Sequence, residues 1–140
     1  MGRAWNGAKW IRRERRLAIY LRDGLACVYC GSGLEDEGVT LSLDHIVAVS
    51  QGGGNGSRNL VTCCRKCNSV RGDRPLDVFA QAVATYLNRG VDPRDIVTHV
   101  NDCASRPVDL VAAWVIVARR SSWQKILEEM NGLKQKEEKS

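Results

Sequence analysis

The sequence predicts an α+β fold, in which helices flank a short region of two strands. Residues 9–21 space their apolar side chains as an amphipathic helix does, and Asp23-Gly24 ends that helix. Residues 39–49 alternate apolar and polar side chains as a strand does, and residues 60–62 resume this pattern after a glycine-rich loop. Helices are also predicted at about residues 67–71, 76–88, 93–103, 107–119 and 122–138, with Asp92, Ser105 and Ser121 or Ser122 as N-terminal caps.

The length of 140 residues suits one compact domain and is too short for two ordinary ones. We predict a core over residues 1–76 and a helical extension over residues 77–140 that packs on the core or at an oligomer interface. Apolar residues cover more than one face of helix 107–119, which is typical of a helix buried in the protein or lying against a second copy. A homodimer is therefore one expected arrangement. The tryptophans are expected to pack in the interior: Trp5, Trp10, Trp114 and Trp123.

Basic side chains outnumber acidic ones, with 21 Lys and Arg against 16 Asp and Glu. The net charge of +5 favours a polyanionic partner, because each phosphate neutralised by Lys or Arg releases a condensed counterion. The basic residues are also clustered. One group comprises Arg12, Arg13, Arg15 and Arg16; a second group, around the later cysteines, supplies the candidates for phosphate contact: Arg58, Arg65, Lys66, Arg71 and Arg74.

No targeting or membrane-spanning segment is expected. The amino terminus lacks the apolar stretch of a signal peptide, and the longest apolar run, Leu110 to Ala118, is shorter than the roughly 20 residues of a membrane span. We therefore expect a cytoplasmic protein of a bacterial or phage-infected cell, without a membrane partner. In a reducing cytoplasm, paired cysteines bind metal more often than they form disulfides.

Two Cys-x-x-Cys pairs predict a structural zinc site formed by Cys27, Cys30, Cys64 and Cys67. The two-residue spacing lets both thiolates of a pair bind one ion, and two pairs complete a tetrahedral shell with no open position for chemistry. A redox dithiol and plain buried cysteines are the weaker interpretations. The βαβ context of a redox motif is absent around Cys27. Cys63 is a competitor of Cys64 but breaks the spacing. Cys103 is expected to be a small buried residue.

Asp44 and His45 lie between the cysteine pairs, at the end of a predicted strand. The Asp44 carboxylate is a hard ligand suited to Mg²⁺ or Mn²⁺, and the His45 imidazole is suited to activating water. The alternative is a carboxylate that caps a turn beside a histidine bonded to the backbone. These two residues alone favour that alternative.

The order of the motifs along the chain favours a catalytic role for Asp44 and His45 over the structural alternative. Arg22-Asp23-Gly24, CVYCG, LDHI, a glycine-rich loop, NLVTCCRKCN and Arg71-Gly72 follow one another as in the HNH endonucleases, which residues 9–76 resemble. The resemblance implies a ββα-metal core, in which two strands and a helix surround one divalent cation. It also implies DNA as the partner of the second basic group.

The resemblance further implies a role for each motif residue. His45 matches the general base, Asp44 matches a ligand of the catalytic ion, and Asn59 matches the residue that orients the histidine-bearing loop through backbone hydrogen bonds. The third motif position is Asn68 where many members have histidine, so the chain is an H-N-N variant. An amide oxygen at this position favours Mg²⁺ or Mn²⁺ over Zn²⁺ or Ni²⁺.

The implied activity is metal-dependent cleavage or nicking of DNA by a stand-alone nuclease of phage or mobile-element type. Two alternatives remain at this stage. One is a zinc-stabilised nucleic-acid-binding module that does not cleave, for which the combination of Asp44, His45 and Asn59 would be unnecessary. The other is an interaction protein whose helical extension does the work, which would show neither metal-dependent hydrolysis nor salt-sensitive DNA binding.

Overall fold

The computed structural model describes residues 11–34, 36, 38–87, 90–119, 125, 126 and 128. Its first helix, α1, spans Arg13–Arg22 and buries one face, including Leu17 and Tyr20. The helix was predicted to begin at residue 9, whereas residues 11 and 12 are not helical and the earlier ones lie outside the described residues. Gly24 follows with a φ of 80°, in the left-handed region that glycine adopts without strain.

A two-stranded antiparallel sheet follows, formed by β1 (Leu41–His45) and β2 (Leu60–Cys64). Leu41 lies opposite Cys64 and His45 lies opposite Leu60, so His45 ends its strand at the mouth of the connecting loop. The strand predicted over residues 39–49 was too long. The chain leaves the sheet after His45 and forms a 3₁₀ turn at Val49–Gln51, because the partner strand begins only at Leu60.

Helix α2 (Arg65–Arg71) follows β2 without a connecting loop and completes a ββα unit. It was predicted to begin at residue 67. The earlier start arises from the Cys64 side chain, which caps the helix by accepting a hydrogen bond from the Cys67 backbone N–H.

Between residues 72 and 119 the structure describes the helices α3 (Leu76–Ala82), which continues as a π-helical turn at Val83–Leu87, α4 (Pro93–Ser105) and α5 (Leu110–Ala118). The Asp92 side chain caps α4, as predicted, by accepting from the Arg94 N–H at 2.8 Å. The cap predicted at Ser105 is wrong. Ser105 is the last residue of α4, and the side chain of Asp109 caps α5. Of residues 122–138, the structure describes 125, 126 and 128.

A buried ion pair joins α1 to the hairpin. The Arg22 guanidinium donates to the Asp23 carboxylate at 2.7 Å and to the backbone oxygens of Ser57 and Leu60. The same carboxylate accepts from the Thr62 backbone N–H at 2.8 Å. Arg22 and Asp23 of the motif Arg22-Asp23-Gly24 therefore hold the junction between the connecting loop and β2, which is a structural role in the core.

The buried apolar residues form two clusters, one on each side of the hairpin. One cluster joins the first cysteine pair and β2 to α3 and α4, through residues such as Phe79 and Val100. The other joins α1 and β1 to α5 and Ile126. The α+β fold with a cysteine quartet at its centre is confirmed. Both clusters take residues from either side of position 76, so the division into residues 1–76 and 77–140 stays a prediction.

Helix α5 is buried on one face only. Ala113 and Val117 pack into the interior, whereas Val111 is 77% exposed and Trp114 is 60% exposed. The expectation of an interior tryptophan is thus wrong for Trp114, and Trp5, Trp10 and Trp123 lie outside the described residues. No helix in the described part of the chain has the length and apolar character needed to cross a membrane.

Candidate active site

The four predicted zinc ligands come together. The sulfur atoms of Cys27, Cys30, Cys64 and Cys67 all lie within 4.8 Å of one another. The Cys30 and Cys64 sulfurs are 3.7 Å apart, close to the roughly 3.8 Å expected between two thiolates bound tetrahedrally to zinc at about 2.3 Å. The first pair lies in a tight turn, closed by a hydrogen bond from Gly31 N–H to the Cys27 oxygen. The second pair lies at the junction of β2 and α2.

Electrostatics also favour a dication at this quartet. A hydrogen bond with Cys27 lowers the pKa of Cys64 to about 6 and is the main cause of the lowered pKa of Cys30. The pKa of Cys27 is raised by its hydrogen bond to Cys30, and the pKa of Cys67 is raised by its hydrogen bond to Cys27. Four thiolates at this separation repel one another, so full deprotonation requires a cation among them. The donor set therefore fits zinc.

The two remaining cysteines stand apart from this site. Cys63 precedes Cys64 in β2, so its side chain lies on the opposite face of the strand, where burial raises the pKa of its thiol. The choice of Cys64 over Cys63 as ligand is therefore supported by the geometry. Cys103 is buried in α4, with its sulfur 3.6 Å from Nε2 of His99.

A cavity of about 480 Å³ lies beside the hairpin, and Asp44, His45, Asn68, Arg71 and Arg16 line it. It therefore brings together the end of β1, the helix α2 and the basic face of α1. Three of the four predicted motif residues share this cavity.

Asp44 is held by two buried partners: Tyr29, which was not predicted as part of the site, and Arg71, which was predicted as a phosphate contact. Its Oδ2 accepts hydrogen bonds from the Tyr29 hydroxyl and from the Arg71 guanidinium, the latter at 2.5 Å. Burial and the neighbouring Asp44 carboxylate raise the pKa of Tyr29 well above its ordinary value, so the hydroxyl stays protonated and donates. In the described part of the chain these bonds all end on Oδ2, which leaves Oδ1 available to an ion.

Arg71 was predicted to contact phosphate, and its burial corrects that assignment. The residue is 2% exposed. Besides Asp44, its guanidinium donates to the Tyr29 hydroxyl at 2.8 Å and to the backbone oxygens of His45 and Ile46 at 2.8 and 2.6 Å. Arg71 thus supports the turn that follows β1, and its buried guanidinium is bonded to groups of the protein itself.

His45 lies at the cavity wall with its ring held by a residue of the glycine-rich loop. Its Nε2 is 2.8 Å from Oδ1 of Asn55. The backbone oxygen of Asn55 accepts a hydrogen bond from the Arg15 guanidinium of α1. This loop was predicted only as a connection between the two strands, and the single asparagine among its glycines was the available signal.

The Asn59 side chain bridges the two ends of the connecting loop. Its Oδ1 accepts from the Val47 N–H at 2.9 Å, and its Nδ2 donates to the oxygens of Val47 and Gly54 at 3.1 and 2.9 Å. The Asn59 backbone oxygen also accepts from the Ile46 N–H. This arrangement suits the predicted role of Asn59 in orienting the loop that carries His45.

Gly53 lets the two ends of this loop approach closely. A Cβ atom there would lie 1.8 Å from the Val47 oxygen and 2.9 Å from Nδ2 of Asn59, whereas a Cβ at Gly54 would meet nothing within 4 Å. We expect Gly53→Ala to lower the free energy of unfolding by about 1–3 kcal/mol, because the backbone must shift. Gly54→Ala is the matched control, with a change within about 0.5 kcal/mol in urea denaturation. Equal stability of the two variants would contradict the close approach.

Asn68 lies on α2 next to the zinc ligand Cys67, and its side chain is exposed to the cavity that Asp44 also lines. A carboxylate oxygen and an amide oxygen are hard donors of the kind that Mg²⁺ and Mn²⁺ prefer. With Oδ1 of Asp44 available, this pair fits a divalent cation whose other ligands are water.

Four of the predicted phosphate contacts remain exposed: Arg58, Arg65, Lys66 and Arg74. Arg65 and Lys66 lie between the two cysteines of the second pair, at the start of α2. Arg16, from the first basic group, is half-buried and lines the cavity itself. Basic side chains therefore lie both beside the cysteine quartet and at the cavity.

Comparison with known proteins agrees with this geometry. Residues 27–82 match the sequence family described as HNH endonuclease. The chain is 42% identical over 67 residues to the CRISPR-associated endonuclease Cas9 of Actinomyces naeslundii, which covers 47% of this chain and 6% of that protein. It is 36% identical over 61 residues to Cas9 of Corynebacterium diphtheriae, which covers 43% and 5% of the two chains. No solved structure matches significantly. The resemblance to HNH endonucleases is thus confirmed for the segment that carries the cysteine quartet, the hairpin and α2.

Proposed function

We propose that this chain, an HNH endonuclease by sequence family over residues 27–82, hydrolyses phosphodiester bonds of DNA in a metal-dependent reaction. The observation that carries the proposal is the convergence of Asp44, His45 and Asn68 on one cavity. A zinc-binding module that only held nucleic acid would have no use for a carboxylate, an imidazole and an amide at one point. The zinc quartet holds this arrangement together, because it joins the turn after α1 to the start of α2.

His45 acts as the general base in this proposal. Its imidazole takes a proton from a water molecule as that water attacks phosphorus in line with the departing 3′-oxygen. The products carry a 5′-phosphate and a 3′-hydroxyl. Arg16 lies on the cavity wall, where its positive charge would hold the scissile phosphate beside His45.

Asp44 and Asn68 would hold the catalytic Mg²⁺ or Mn²⁺. When bound, the ion would stabilise the negative charge that develops on the phosphate and on the leaving oxygen. Arg71 and Tyr29 fix the Asp44 carboxylate through Oδ2, so Oδ1 would be the oxygen that binds the ion. An exposed neutral amide and one carboxylate bind such an ion weakly without substrate, since waters must complete its shell.

Arg58, Arg65, Lys66 and Arg74 would bind the DNA backbone, because all four are exposed around the hairpin and α2. With one cavity per chain, a monomer would nick one strand and a homodimer would cut both. These four basic residues would contact phosphates and few bases, so we expect only a modest preference for DNA sequence.

Supercoiled-plasmid cleavage tests this function. Zinc-loaded wild-type protein is expected to nick plasmid with Mg²⁺ or Mn²⁺ and to stop when EDTA is added in a short assay. His45→Ala is expected to lower the cleavage rate by about 100- to 10,000-fold, because proton transfer by a positioned base contributes that much. The measurement is the initial rate of relaxed-circle formation at equal zinc content.

The chain offers a matched control, since His99 is its other histidine and lies on α4 outside the cavity. His99→Ala should cut at the wild-type rate. Wild-type protein that binds plasmid in a salt-sensitive manner but cuts it with neither ion would refute the nuclease and favour the non-cleaving module.

A further inference from the structure

We propose that Asn55 is a positioning residue that sets the orientation of the His45 imidazole, an inference that rests on the proposed function. The Asn55 amide oxygen lies 2.8 Å from Nε2 of His45. Because an amide oxygen can only accept a hydrogen bond, Nε2 must carry the proton. In the neutral ring the lone pair then lies on Nδ1, which makes Nδ1 the nitrogen that takes the proton from water.

Asn55 is itself held from two sides. The preceding residue, Gly54, is bonded through its backbone oxygen to the Asn59 side chain at 2.9 Å. The backbone oxygen of Asn55 accepts from the Arg15 guanidinium, which ties the loop to α1. The loop can therefore present the Asn55 amide in a defined place, although its residues are largely exposed.

This contact matters because His45 ends its strand at the mouth of the loop, where the protein encloses the ring only in part. A ring that turns about its side-chain bonds would spend time with neither nitrogen directed at the attacking water. A hydrogen bond to a fixed acceptor removes those orientations before substrate binds. The same logic holds wherever a third group orients a catalytic base.

Nuclear magnetic resonance of the zinc-loaded protein without DNA tests the contact directly. With two histidines in the chain, His99→Gln identifies the His45 signals. We expect a protected Nε2–H resonance from His45 and slow ring motion. Asn55→Ala should abolish that resonance, whereas Asn55→Asp, which keeps an acceptor oxygen, should retain it. Asn101→Ala, an exposed asparagine on α4, is the matched control and should change nothing.

A double-mutant cycle then tests the effect on cleavage. Asn55→Ala should lower kcat by about 10- to 100-fold, a part of what the base contributes, while KM for plasmid stays within about 2-fold. In the His45→Ala background it should have no further effect, because it acts through His45. A loss that persists in that background, or a His45 resonance unchanged by Asn55→Ala, would overturn the proposal. Wild-type protein that never cuts would refute the nuclease, whereas the resonance comparison would still decide the Asn55–His45 contact.

Discussion

Removal of zinc is expected to unfold the chain. The quartet joins the turn after α1 to the β2–α2 junction, and Cys27, Cys64 and Cys67 belong to the same buried cluster as Phe79 and α4. Structural zinc binds zinc-finger peptides with about 10–16 kcal/mol, and domains of this size are stable by only about 5–15 kcal/mol. The binding free energy of the ion is therefore comparable to the whole stability of such a domain. Loss of helical circular dichroism on chelation, and its return when zinc is added back, are the expected readouts.

Adjacent cysteines in β2 provide the matched pair of variants. Cys64→Ala should lose zinc and fold poorly, because it removes a ligand. Cys63→Ala should retain one zinc per chain and cost about 1 kcal/mol, because it removes only a buried sulfur from the opposite face of the strand. Zinc content by mass spectrometry decides between them. If Cys63→Ala lost the metal and Cys64→Ala kept it, the ligand assignment would be wrong.

The cysteine quartet was predictable because its information is local. Each Cys-x-x-Cys pair specifies a turn that directs two thiolates at one ion, and two pairs in one short chain specify the whole shell. The ββα order was predictable from the alternating pattern of the strands and from the cysteine positions. The residues at which the strands and helices begin and end were less predictable. The end of β1 at His45 depends on where β2 begins, and that pairing is a long-range property.

Arg71 shows why the rest of the site could not be read from the sequence. It lies in a run of basic residues that resembles a solvated, phosphate-binding face, and Arg65, Lys66 and Arg74 are indeed exposed. Its burial depends on Asp44, which is distant in the chain and becomes its neighbour only when α2 packs on β1.

Asn55 and Trp114 illustrate the same limit in other ways. The Asn55–His45 contact requires the conformation of a glycine-rich loop, which composition does not specify. The face of α5 that carries Trp114 is apolar but exposed, because only the face of Ala113 and Val117 meets the core. Apolar content alone therefore did not decide which side of α5 is buried.

Arg71→Met is expected to lower the free energy of unfolding by about 3–5 kcal/mol, the cost of removing one partner of a buried ion pair. It leaves the Asp44 carboxylate beside Tyr29 without its cation, and it leaves the backbone oxygens of His45 and Ile46 without donors. Arg71→Lys should rescue only part of this loss, because one ammonium group cannot reach acceptors that five guanidinium N–H groups share. Arg65→Met, on the exposed start of α2, is the matched control and should change stability by no more than about 0.5 kcal/mol.

The pairing between Arg71 and Asp44 can be separated from mere packing by a double-mutant cycle. Asp44→Asn alone removes the negative charge and leaves the Arg71 guanidinium buried; together with Arg71→Met it leaves neither charge. If the pair is the stabilising unit, the double variant should be more stable than the sum of the two single losses predicts. Additive losses would mean that Arg71 stabilises the turn through His45 and Ile46 alone. In either case the guanidinium that stabilises this turn also bonds Oδ2 of Asp44, so the ion of the proposed function would reach this carboxylate through Oδ1.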